Sequence, residues 1–255
     1  MIAVLKHELR SYFHSLTAYL FGALLLVFVG IGAMLYNIQA AVSNFEFVLS
    51  FCSIVLAVIV PILTMRVIAE ERKQKTDQLL YSLPLTTSHI IIGKYLALLT
   101  VYVIPLLIVS IYPLVFSRFG DVYLKTSYGS IVAFFGMGAA LIALGMFVSS
   151  LTENQGFAAG IAVAVILFNY YSVTLADYIS GSVTGSVIAL VVLIVILCLI
   201  IKLLTKNQFL AYGAGIVLAA AMVIAYIRDK TVFEGLLPNI MTKLSLFERF
   251  YTFVN

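Results

Sequence analysis

The chain has 255 residues, of which 63% are hydrophobic and 10% charged, with a net charge of +4 and a mean hydropathy of +1.14. A soluble domain carries about a quarter charged residues, so this composition excludes an ordinary soluble fold. The length leaves room for one membrane domain and no separate soluble one, and the modest positive charge bears on membrane orientation rather than on nucleic acid.

Residues 1–15, MIAVLKHELRSYFHS, come first. Ile2, Leu5, Leu9, Tyr12 and Phe13 recur at helical spacing, with Lys6, His7, Arg10 and Ser11 mostly opposite. The pattern predicts an amphipathic helix in the membrane interface, or a lead-in continuous with the first span. The following apolar run is too long for a signal peptide and lacks a small-residue cleavage pattern, so it reads as a retained span.

Crossing a bilayer core takes roughly 20 apolar residues in a helix. Spans are predicted at about 17–37, 47–67, 92–116, 129–151, 156–176, 184–204 and 208–227. The fold expected is an all-α polytopic bundle of six to eight transmembrane helices forming one domain, 1–255. With the N-terminus in the cytoplasm, nine basic residues fall inside and six outside, which favours a multi-pass cell-membrane protein in that orientation. Seven spans leave the C-terminus outside, and a further helix is expected beyond Asn255.

The connection 66–91 holds six of the 26 charged residues within positions 66–75 alone. A charged helix is expected to about Tyr81, then a turn at Pro84, with Thr86, Thr87 and Ser88 available to cap the third span. Pro105 and Pro113 should kink that span. In the fourth span, Gly136, Gly138 and Gly145 are expected to let helices pack closely. Asn169, Tyr170 and Tyr171 in the fifth span are a candidate substrate path, or else interhelical hydrogen bonds and an aromatic belt. Across the tail 228–255, Phe233, Leu237, Ile240, Met241, Leu244, Phe247 and Tyr251 repeat every three or four residues. That stripe predicts a helix or helix pair lying against the outer face.

The spans hold almost no charge, which argues against an ion-coupled carrier or a voltage sensor. Lys94 lies near a cytoplasmic end, where its stem can snorkel to the interface. No GxxxxGK[ST] loop, HExxH or GxSxG occurs in the sequence. Cys52 and Cys198 read as small buried hydrophobes, and no metal, catalytic or cofactor-binding residue is expected. Uphill movement of a substrate would therefore draw on another subunit. The rival reading is a membrane scaffold or assembly factor that anchors cytoplasmic partners.

The segment MRVIAEERKQKTDQLLYSLPLTTSHIIIGKYLA resembles the signature region of ABC exporter permeases of the ABC type 2 class. The matching residues are Arg66, Glu70, Glu71, Arg72, Thr76, Leu79, Leu80, Leu83, Pro84, Gly93, Lys94 and Tyr95. Lys75 departs from the pattern, since a Gly is common there. SSLTENQ at 149–155 is a second local match, and the tail resembles the branch of gliding-associated and copper-processing permeases. The resemblance implies a permease without its own nucleotide site, paired as a homodimer or with a related permease. It implies a separate ABC ATPase that binds ATP and Mg, and export of a lipid-like molecule, drug or peptide. It also makes Glu70, Glu71, Arg72, Thr76, Leu79, Leu80 and Pro84 the ATPase-coupling residues, with the N-terminal helix supporting that contact.

Overall fold

A computed structural model describes residues 2–75, 86–178 and 233–254, together with individual helical positions between 185 and 226. Every regular element among the described residues is a helix. The chain divides into two units, Met1–Tyr170 with Leu246–Asn255, and Tyr171–Ser245.

In the first unit, α1 (Ile2–His14) stops at Ser15, whose extended backbone separates it from α2 (Leu16–Gly32). The N-terminal helix is thus its own element rather than a lead-in. α2 widens into a π-helical segment, Ala33–Gln39, and the two form one 24-residue apolar helix. α3 (Glu46–Thr64) continues through a turn into the short charged helix α4 (Ala69–Gln74). α5 (Thr87–Val109) and α6 (Ile111–Phe116) make up the third span, and α7 (Leu124–Leu151) and α8 (Gln155–Tyr178) the fourth and fifth. The last helix of this unit is α10 (Leu246–Val254). In the second unit, α9 (Leu236–Leu244) follows Gly235, whose φ of +65° suits a residue without a Cβ.

Five helices are long and apolar enough to cross a membrane: Leu16–Gln39, Glu46–Gln74, Thr87–Phe116, Leu124–Leu151 and Gln155–Tyr178. They match the first five predicted spans. The sixth and seventh, 184–204 and 208–227, lie largely outside the described residues. The five helices expose apolar side chains such as Val27, Ile31, Leu107, Leu114, Val132, Phe147 and Phe168. In water this would be costly, whereas hydrocarbon has no such preference.

The second span is the most enclosed of the five. Leu49, Cys52, Leu56, Val60 and Leu63 line its buried faces against α2 and α7. Tyr102 is fully buried beside it, stacked on Phe135 and donating its hydroxyl to the Phe134 carbonyl at 2.8 Å.

The third span is interrupted at Ser110, and Pro113 lacks the N–H that would otherwise bond back one turn. Pro105, also expected to kink the third span, lies inside the unbroken helix Thr87–Val109. Thr86 takes the N-cap position of α5, although its hydroxyl pairs with the His89 ring at 3.0 Å rather than with a backbone amide.

The charged helix expected to reach about Tyr81 is interrupted: α4 ends at Gln74, because Lys75 is left-handed with φ +56° and ψ +22°. Thr76, Leu79, Leu80 and Pro84 lie outside the described residues. The left-handed backbone at Lys75 also explains why glycine suits this position. Replacing Lys75 with Gly should stabilise the protein by about 1 kcal/mol, since a Cβ is penalised there. Thermal unfolding of the two proteins in the same detergent would show it as a higher midpoint for the Gly variant.

Candidate functional site

The polar residues of the first unit converge where α1, α4 and the start of α5 meet. α1 turns Val4, Glu8 and Tyr12 toward α5, an i, i+4, i+8 stripe whose middle member is a carboxylate. Lys94, one and a half turns into α5 from His89, is only 3% exposed. Its ammonium donates to Glu8 Oε1 at 2.7 Å, Glu71 Oε1 at 2.5 Å and the Val67 carbonyl at 3.3 Å. Lys94 therefore does not snorkel. Two carboxylates arrive from other elements, and a paired buried ammonium is tolerated where an isolated one is not.

Beside it, Arg66 holds Glu70 through Nε at 2.8 Å and donates Nη1 to the Thr17 hydroxyl at 3.0 Å, tying the exit of the second span to the entry of the first. Gln74 donates to Glu70 at 3.2 Å. These residues line a cleft of about 330 Å³ together with His7, Ser11 and Tyr12. Burial, with Glu8 adding to it, holds the Tyr12 phenol well above its ordinary range, so it stays neutral.

The fourth span supplies the other anchor. Ile68, at the N-cap position of α4, offers no side-chain cap. Instead the buried Ser149 hydroxyl accepts from the amides of Ile68 at 3.3 Å and Ala69 at 3.2 Å, and donates to the Met65 carbonyl at 3.1 Å. It caps α4 from another helix. Arg72 adds a bond from Nη1 to the Ser150 carbonyl at 2.5 Å. The segment after the second span is thus gripped by α1, α5 and α7 at once.

Of the coupling candidates in the sequence, Glu70, Glu71 and Arg72 come together here. Glu8, Lys94 and Ser149 form the same cluster but were not singled out as members of it. The available signals were weak. Glu8 shares a helix face with Val4 and Tyr12, and Ser149 opens the local match SSLTENQ.

The aromatic cluster of the fifth span divides. Asn169 Oδ1 accepts from the Leu246 amide at 3.0 Å, one of the donors that a helix start leaves without an intrahelical partner. Tyr170 meets Phe247 edge-on at 4.9 Å. Tyr171 is exposed. α10 also sets Phe250 edge-on against Phe134, and its Tyr251 hydroxyl bonds that of Ser53 at 2.6 Å. In the second unit, Phe233 packs edge-on with Tyr226 at 5.8 Å.

A family model described as ABC-2 family transporter protein matches residues 31–176, more than half of the chain. No curated protein and no solved structure matches it. The matched range runs from the end of the first span through the fifth, and includes α4, Lys94 and Ser149. With five apolar helices of spanning length in the same chain, this protein belongs to the ABC-2 transporter family and is a multi-pass membrane permease component of an ABC transporter.

Proposed function

We propose that the chain is the permease subunit of an ATP-driven exporter, docking through residues 66–91 onto a separate ABC ATPase in the cytoplasm. One observation carries this reading. The charged segment after the second span is fastened to α1, α5 and α7 by Lys94, Arg72 and Ser149, so a push on it reaches three elements of the bundle. The sequence has no phosphate-binding loop of its own, which leaves ATP and Mg to the partner.

The N-terminus then lies in the cytoplasm, in keeping with the basic-residue bias, and a second permease, identical or related, completes the pore. The substrate would be amphiphilic: lipid-like, a drug or a peptide. Asn169 and Tyr170 hold α10 in this arrangement, so a substrate passing them would have to move that helix. The tail keeps the resemblance to gliding-associated and copper-processing permeases as the family branch.

The test is docking. The Arg66–Glu70 pair is half-exposed, and pairs open to solvent contribute only ~0–1 kcal/mol each, so Glu70→Gln should be mild. Burying a leucine contributes roughly 1.5–3 kcal/mol, so Leu79→Asp with Leu80→Asp should abolish ATPase association while the permease still inserts. The measurement is co-purification with the ATPase and vanadate-sensitive hydrolysis in proteoliposomes. A double variant that still binds and supports hydrolysis would reject these residues as the anchor. A wild-type complex that forms but never alters hydrolysis would favour the scaffold reading instead.

A further inference from the structure

We propose that Lys94 is a positioning residue that locks α1 and the charged segment after the second span to the third span, so that the three move as one body. The proposal rests on the ATPase-driven reading, because it names the joint through which that drive would spread.

An ammonium has three N–H donors and no acceptor. Here the three meet one acceptor on α1, one on α4 and one on the turn between α3 and α4, each within 3.3 Å. No other buried side chain among the described residues joins those elements in an ion pair.

Removing the cation would take away the ammonium that draws Glu8 of α1 and Glu71 of α4 onto α5, and breaking one side of a buried ion pair is strongly destabilising.

The experiment is amide hydrogen exchange at pH 7.5 on the full chain in lipid nanodiscs. Glu8→Gln should speed exchange in 2–14 by about tenfold and leave 68–75 nearly unchanged. Glu71→Gln should do the reverse. Lys94→Met should loosen both segments by on the order of a hundredfold. The triple variant Lys94→Met, Glu8→Gln, Glu71→Gln should recover much of the loss, which a purely steric role for the Lys94 side chain would not allow.

If Lys94→Met leaves both segments protected, or the triple variant is no better protected than Lys94→Met alone, Lys94 does not act as the joint. Should Lys94→Met fail to insert, the two Gln variants carry the test, and loosening of both segments by either one alone would overturn the proposal. None of these arms needs an ATPase, so their failure leaves the docking reading standing, and loss of docking leaves them unaffected.

Discussion

Gly138→Ala and Gly145→Ala should each destabilise the protein by about 1–3 kcal/mol, while Gly136→Ala should be neutral or slightly stabilising. All three glycines lie on the fourth span and look alike in the sequence. A Cβ on Gly138 would collide with the Tyr102 ring, whose Cε1 and Oη would stand 2.5 Å away. That ring cannot swing aside. It is fully buried, stacked on Phe135, set edge-on to Phe21 and bonded through its hydroxyl to Phe134. A Cβ on Gly145 would run into Thr64, with Oγ1 closest and Cβ and Cγ2 at 3.0 and 3.1 Å. Turning the threonine only exchanges one clash for another, and its hydroxyl already donates to Val60. A Cβ on Gly136 would meet nothing within 4 Å, and alanine is about 1 kcal/mol better than glycine inside a helix. Unfolding in a mixed detergent titration would rank the three. Equal effects at Gly136 and Gly138 would refute the packing argument.

Ser149→Ala should cost about 2–4 kcal/mol, whereas Ser150→Ala should change little. The Ser149 hydroxyl is the acceptor for two backbone amides at the start of α4 and is itself buried. Each buried donor left without a partner costs about 1–3 kcal/mol, and loss of an N-cap typically about 1 kcal/mol. Ser150 differs in that its hydroxyl is exposed and bonds only within its own helix, while Arg72 reaches its backbone carbonyl, which alanine keeps. The readout is amide exchange at Ile68 and Ala69 alongside unfolding of the whole chain. Protection at these two amides that survives Ser149→Ala would show that the cap is unimportant. Because Ser149 and Gly145 lie one turn apart on the same face of α7, their effects should not simply add.

What the sequence determined by itself was set by local rules. An uncharged apolar run of about 20 residues spans a membrane wherever it occurs. The five spans among the described residues could therefore be placed along the chain, together with the family, whereas the separation of the N-terminal helix from the first span was one of two open readings. The details of the coupling site obey no such rule. Lys94 reads as a snorkelling lysine because its partners, Glu8 and Glu71, are 86 and 23 residues away. Ser149 caps a helix that begins 81 residues earlier, and Tyr251 finds Ser53 across 198. Even locally, the charged helix was carried toward the break expected at Pro84, whereas α4 ends at Gln74 because the Lys75 backbone turns left-handed. Apolar character is a property of a segment, so it can be read along the chain. Whether a buried charge, a lone hydroxyl or a glycine is needed depends on the atom facing it, and only the packing of the helices decides which atom that is.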